Sequence, residues 1–378
     1  MKNDYLEYYG EYHISPVRQD INNIEAHYKR RKKLYRQCGI PEIAFRNAEI
    51  LEVGPGGGYN TLAFFHWNCK HIDLVEANLK GQEDMRILFS ENHISQNQYE
   101  IFPCKIEDFH TDKKYDIVIA EGFLPYIFNQ NEVIKKLQSL TDKEGIIVIT
   151  CVDNVGMFIE AIKRLIGQML TRNITCYDEK LNYLVQFFGK QLEGLGGVSR
   201  SAKDWVQDQI LNPAGINGME LSMAQAISMF ENDYEILGSS PQMFTDYSWY
   251  KDVCYDYKES YRQQFEQKRL SLLMTNMPEK IMDKADAEVL VQHFQIIKKL
   301  AAEYEKDKKE WQIDEILRHM KEMKALIRDL DQRFFDVFLE IEDALMCAKG
   351  TGIVDMKKYN NFFSAFGRAQ QYIAFVKK

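Results

Sequence analysis

Between Ile50 and Asn60 an acid and three glycines alternate: Glu52, Gly54, Gly56 and Gly58. Glycine permits backbone angles closed to other residues and lets a ligand approach the main chain. A helix starting behind such a turn offers unpaired N–H groups and a partial positive charge. The chemistry implied is cofactor binding, for a group bearing a carboxylate or phosphate. A second acid, Glu76, closes a later apolar run, and a carboxylate at such a strand tip accepts hydrogen bonds from ribose hydroxyls. Glu121 and Asp153 end two further runs and are candidate general bases, with His13 and His27 as the histidine alternatives.

These residues need a sheet to hold them. Ala48–Val53, His71–Glu76, Tyr99–Pro103, Tyr115–Glu121 and Gly145–Cys151 read as strands. Each is a nearly continuous apolar run, as expected where helices cover both faces of a sheet. Helical patterns separate them, for example Asn131–Leu140. Alternating strands and helices predict an α/β fold with a mostly parallel sheet. Tyr234–Gly238 and Gln371–Val376 supply a sixth and a seventh strand. Ser15 and Pro16 read as the cap and first turn of a helix over 15–38.

The glycine spacing selects among cofactors. A dinucleotide fingerprint needs a third glycine at position 59, which is Tyr59, and the chain has no Gly-Lys-Ser/Thr of a P-loop. The pattern from Glu52 to Gly58 resembles motif I of the class I S-adenosylmethionine (SAM) dependent methyltransferases. That resemblance covers residues 45–153 and implies a Rossmann-like, seven-stranded, mostly parallel sheet with helices on both faces. It also implies SAM as cofactor and S-adenosylhomocysteine as product. Gly54, Gly56, Gly58 and Asn60 would then adjoin the methionine half of SAM, Glu52 its charged end, and Glu76 and Ala77 the ribose. Ile106 and Glu107 would meet the adenine, because Lys105 stands where the family usually has an acid and cannot accept a hydrogen bond. Glu121 and Gly122 would lie at the rim, and Tyr28 and Arg31, on a helix before the core, would close over the cofactor. His27–Pro41 and Leu51–Leu62 are similar to stretches of bacterial methyltransferases of surface-glycan and secondary-metabolite pathways. The expected reaction is methyl transfer to an oxygen, or failing that a nitrogen, of a small-molecule, sugar or glycan-precursor acceptor. Two other classes share these features: a nicotinamide-dependent oxidoreductase, and a SAM-binding scaffold or sensor without turnover.

Six segments follow: 1–46, helical and covering the cofactor; 47–153, the SAM-binding core; 154–232, a cap insertion; 233–247, the sixth strand; 248–366, a helical insertion; and 367–378, the last strand. The cap contains the Gly194–Gly197 stretch, with Arg200 and Trp205 as candidate substrate contacts. Tyr126, Tyr247 and Trp249 are further aromatics that a flat acceptor would stack on. In the helical insertion, helices are expected over Ala285–Tyr304 and Ile313–Met346, as a hairpin or small bundle available for homodimerisation. The formal charge of −8, from 56 acids and 48 bases, argues against a nucleic-acid binder, and Lys29–Lys33 reads as a solvated basic helix face. Seven scattered cysteines without a C-x-x-C pair suggest reduced thiols in a cytoplasm. The eight histidines show no metal-ligand spacing, so no metal site is expected. No apolar run of spanning length is present, so no membrane span is expected.

Overall fold

The computed structural model describes residues 5–16, 18–193, 199–217, 220–230, 233–252 and 257–378. The Gly194–Gly197 stretch and Cys254 lie outside the described residues. The chain divides into two compact units. One comprises Met1–Val152, Gly218–Phe265 and Gln370–Lys378; the other comprises Asp153–Asn217 and Glu266–Ala369.

The first unit is built on a seven-stranded sheet of order β3-β2-β1-β4-β5-β7-β6. The strands are β1 (Glu49–Val53), β2 (His71–Val75), β3 (Tyr99–Phe102), β4 (Tyr115–Ala120), β5 (Thr141–Val152), β6 (Tyr234–Ser240) and β7 (Gln370–Lys377). β1 to β5 pair in parallel, whereas β7 runs antiparallel to both β5 and β6. The central strands are buried along nearly their whole length because helices cover the sheet. Strand order reverses at β1, which lies between β2 and β4. A crevice therefore opens beyond the carboxyl ends of these strands, where open α/β sheets bind ligands.

The helices that matter to this crevice are α1 (Tyr5–Glu11), α2 (Ile24–Gln37), α3 (Leu62–His66), α4 (Leu79–Glu91) and α5 (Gln130–Leu140). Here one expectation is corrected: α2 starts nine residues later than Ser15. Asn23 caps it, its side chain accepting from the Ala26 N–H at 3.0 Å. Pro16 instead lies against the glycine turn, its carbonyl accepting from Gly57 N at 3.5 Å. The basic run Lys29–Lys33 is not a wholly solvated face, since Arg31 is buried. Tyr35, Phe45, Phe64 and Trp67 form an aromatic cluster that fixes α2 against α3, with Tyr35 meeting the other three rings edge-on at 5.0–5.7 Å.

The second unit has its own core, in which Phe158, Phe294, Phe334 and Phe338 are packed with the aliphatic faces of several helices. Residues from both expected insertions, 154–232 and 248–366, share this core. Its long helices are Phe158–Leu170, Tyr177–Glu193, Lys284–Asp307, Glu310–Leu330 and Gln332–Thr351. The helix expected over Ile313–Met346 is in fact two. Asp331 adopts an extended conformation and caps the second, accepting from Phe334 N at 3.0 Å.

Candidate active site

A cavity of about 300 Å³ occupies the crevice. Its floor is Val53 at the end of β1 with Gly54 after it, and Val75 at the end of β2 with Ala77 beyond it. One wall is Cys104, Lys105, Ile106 and Glu107 after β3; the other is Phe123 and Tyr126 to Asn129 after β4, with Leu6 of α1 across the opening. The volume falls at the lower end of the range of small-molecule sites. Gly54, at φ +70°, is the glycine that keeps this cavity open, because a Cβ there would lie 3.1 Å from the Phe123 ring.

The other two motif glycines serve the protein's own packing. At Gly56, with φ +58°, a Cβ would meet the Pro16 carbonyl oxygen at 2.5 Å; at Gly58, with φ +76°, it would meet Met85 and Phe89. A side chain at Gly56 would thus strike the N-terminal segment. The turn's N–H groups are also engaged. Gly54 N donates to the Val75 carbonyl at 2.9 Å, Gly56 N to Glu76 Oε2 at 2.7 Å, and Gly58 N to the Pro55 carbonyl at 3.1 Å. A phosphate would find these three donors already taken.

Three acids flank the cavity from behind. Glu52 immediately precedes Val53 and Gly54, Glu76 precedes Ala77, and Glu121 precedes Gly122 and Phe123. Glu52 and Glu76 are buried. Glu52 accepts from Thr61 Oγ1 at 2.7 Å, and Glu76 accepts from the N–H groups of Gly56 and Asn78 at 2.7 Å each. Glu121 binds Arg31 through two nitrogens at 2.6 and 2.9 Å and accepts from the Tyr35 hydroxyl at 2.6 Å. Burial pushes the Glu52 carboxyl up to about 8, against the Thr61 hydrogen bond and with Glu121 adding to the rise. Burial also raises Glu76, against its backbone donors. For Arg31, burial disfavours the charge but Glu121 outweighs it, so the guanidinium stays charged. Arg31 is thus matched by Glu121, and Glu52 lies within the field of both. A ligand cation would stabilise the ionised form of Glu52, which burial otherwise disfavours. Two buried atoms nearby also lack hydrogen-bond partners: Arg31 Nε, and Ser15 Oγ, which sits beside Gly57. They are free to meet a carboxylate. A ligand with both charges and an apolar body fits; SAM is such a ligand.

A methyltransferase-domain family model matches residues 44–190. This region is a class I SAM-dependent methyltransferase domain. Among curated proteins, the chain is 28% identical to a ubiquinone biosynthesis O-methyltransferase of Rickettsia akari (strain Hartford) over 144 residues, 37% of this chain and 50% of that protein. The corresponding protein of Rickettsia felis gives 28% over 144 residues, 37% of this chain and 51% of that one. The chain spans about half the length of the curated relatives it matches. Among solved structures it is similar to PKMT2 from Rickettsia typhi in complex with AdoHcy, at 17% identity and TM-score 0.44, covering 64% of this chain and 50% of that one. The N-methyltransferase NodS from Bradyrhizobium japonicum, in complex with S-adenosyl-L-homocysteine, gives 14%, a TM-score of 0.32, and 39% and 74% coverage.

The methyltransferase domain brings Gly54, Ala77, Ile106 and Glu107 to the cavity wall, with Glu107 accepting from Asn129 Nδ2 at 2.8 Å. Other expected residues serve elsewhere. Tyr28 stacks on His66 of α3 at 4.0 Å. The Asn60 carbonyl accepts from Ala63 N at the start of α3, and Gly122 N donates to Thr150 Oγ1 at 3.0 Å. As a general base Glu121 is ill placed, since Arg31 and Tyr35 occupy its oxygens. Asp153 belongs to the second unit, where it is fully buried in an ion pair with Arg269 at 2.6 Å and accepts from Val155 N. His13 is exposed. His27 is buried, its Nε2 3.0 Å from the Tyr59 carbonyl, and burial together with Arg31 and Arg30 lowers its pKa to about 4. Arg200 is paired with Asp208, and Trp205 packs between Phe188 and Phe366, all within the second unit. Tyr247 and Trp249 are exposed. Sequence reading missed Leu6, Phe123 and Ile127 to Asn129; Leu6 carries no signal, and only the position of the others after β4 hinted at a role.

Proposed function

We propose that this chain transfers the methyl group of SAM to an oxygen of a small-molecule, sugar or glycan-precursor acceptor. The observation that supports the reading is the cluster of Glu52, Glu76 and Glu121, the last paired with the guanidinium of Arg31, beside a cavity whose turn already engages the N–H groups of Gly54, Gly56 and Gly58. Gly54, Ala77, Ile106 and Glu107 would hold the adenosyl part, with Glu52, Arg31 and Ser15 near the amino-acid end. SAM supplies a methyl on a sulfonium, which leaves as a neutral thioether and needs no metal. The chain's task is to align acceptor and donor and to keep water out, a matter of positioning. Phe123, Tyr126 and Phe128 provide apolar surface for that purpose. An oxygen acceptor is favoured because the curated relatives carry O-methyltransferase names.

Calorimetric titration of the purified chain with SAM, S-adenosylhomocysteine and NAD tests the cofactor. Saturable heat with both adenosyl ligands and none with NAD is expected. NAD binding, or heat with none of the three, would sink the reading. Transfer of labelled methyl to panels of phenols, sugars and amines then tests the acceptor, and label recovered only on amines would overturn the oxygen assignment.

A further inference from the structure

Outside the methyltransferase site, one cluster of side chains in the second unit has the composition and spacing of metal ligands. His293 lies on the helix Lys284–Asp307; His319 and Glu322 lie on the helix Glu310–Leu330. A turn at Lys308 and Lys309 joins the two helices, so they run back along each other. His319 and Glu322 are three positions apart and share a helix face. His293 Nδ1 is 2.9 Å from His319 Nδ1, and Glu322 Oε2 is 3.8 Å from His319 Nδ1. One ligand atom from each residue lies within 4.8 Å of the others. Donors bound to zinc at about 2.0–2.1 Å sit roughly 3.3 Å apart in a tetrahedron, so small side-chain adjustments bring these three onto one ion. Burial lowers the pKa of both histidines, His319 adding to the effect on His293 and Arg318 to that on His319.

We propose that His293, His319 and Glu322 form a site for a first-row divalent cation, with zinc as the reference ion, that clamps these two helices together. Two histidines and a carboxylate satisfy such an ion and leave a fourth position for water. Arg318 controls access. Its Nη2 lies 3.1 Å from His319 Nε2, and its guanidinium also holds Glu322 Oε1 at 2.5 Å and Glu315 Oε2 at 2.8 Å. Because arginine only donates, His319 Nε2 accepts, and the ring's proton sits on Nδ1 facing His293. Metal binding moves that proton to Nε2, with no net release, and Arg318 swings away from both His319 and Glu322. The sequence hid this site because its ligands are 26 residues apart and meet only when the helices pair.

The test is titration of the metal-stripped full chain with Zn²⁺ against a chromophoric chelator, and with Co²⁺ followed by its visible absorption. Binding of one ion per chain is expected, with a Co²⁺ band in the four-coordinate range and a higher melting temperature in Zn²⁺. His293→Ala and His319→Ala should abolish binding. Glu322→Gln, on the exposed side, should weaken it by about tenfold or more. Arg318→Ala should tighten it, because it frees both Glu322 and His319 Nε2. Circular dichroism establishes that each variant is folded, and the two surface variants decide the matter if a histidine variant is not. Lack of binding tighter than about 100 μM, about 5.5 kcal/mol, would overturn the proposal. So would binding that Glu322→Gln and Arg318→Ala leave unchanged, which would place the ion elsewhere.

Discussion

If the cavity takes a cation, the charge of Glu52 should govern how tightly. Burial raises this carboxyl to about 8, so the free protein keeps it protonated at neutral pH. A ligand ammonium or sulfonium favours the ionised form. Unit charges about 6 Å apart at an effective dielectric of about 20 interact by roughly 2.8 kcal/mol. That corresponds to about two pKa units, which brings Glu52 to about 6 in the complex. Affinity for SAM should then rise by up to about 100-fold between pH 6 and pH 9, most steeply between 6 and 8. The α-amino group of SAM titrates in the same region, at about 7.7–8.0, so the useful quantity is a ratio. The dissociation constant of Glu52→Gln divided by that of the parent should be near 1 at pH 6 and about 100 at pH 9. Calorimetry in two buffers of different ionisation enthalpy at pH 7 should also show proton release for the parent that is lost in the variant. A ratio that stays flat from pH 6 to pH 9 would remove Glu52 from the binding reaction and with it the electrostatic case for a cationic ligand.

Arg31→Met should destabilise the first unit by about 3–5 kcal/mol, since it leaves Glu121 buried without its partner; hydrogen exchange of the β1 and β4 amides reads this, and a loss below about 1 kcal/mol would contradict the burial of the pair. Gly54→Ala should weaken SAM binding by about tenfold through the Phe123 contact, as titration will show, whereas Gly56→Ala should act on stability, at about 1–3 kcal/mol, by displacing Pro16. Equal effects of the two on affinity would contradict that division. His27 has a folded-state pKa of about 4 against an unfolded value of about 6.5. The unfolded chain therefore binds the proton first, and stability present above pH 6.5 is lost as pH falls towards 4. The full shift is about 3.4 kcal/mol; discounted for solvent screening, about 2 kcal/mol should be lost. His27→Gln should remove this slope from urea titrations run between pH 7.5 and 4.5.

The sheet was legible because its strands are uninterrupted apolar runs, and buried parallel strands need no other signal. Their register brings Val53 beside Val75 and Ala120, so the three runs end at one rim, where the crevice opens. Helix starts were less legible. Ser15-Pro16 and Asn23 both make acceptable caps, and the choice was made by the glycine turn, against which Pro16 packs. Asp331 was hidden in a helical pattern because its side chain caps locally, a competition that periodicity does not register. The cavity wall from Phe123 to Asn129 has no repeating pattern at all. It is defined by which loop follows β4, and that depends on strand order. Arg200 is paired with Asp208, Trp205 packs on Phe188 and Asp153 is paired with Arg269, and no motif in the sequence marks these partners.

The glycine turn carries the more general lesson. Alternating glycines after a strand look like an anion cradle, yet the same spacing serves a cation when the chain supplies its own acceptors. Here Glu76 does so. It reaches back to Gly56 N and across to Asn78 N, so its carboxylate fixes the turn before it meets any ligand. Asn78 in turn caps α4 through Gly81 N at 2.7 Å, and a Cβ at Gly81 would lie 3.0 Å from the Gly56 carbonyl. Turn, strand tip and helix start are one hydrogen-bonded unit. Three backbone N–H groups, of Gly56, Ala77 and Asn78, act on the Glu76 carboxylate, whose two oxygens offer about four lone-pair sites, so a ribose hydroxyl can still bind without breaking this unit. The acid read from the sequence as a ligand contact is thus also the acid that occupies the Gly56 N–H of the turn. In such a site the choice of cofactor follows from what the backbone N–H groups already hold.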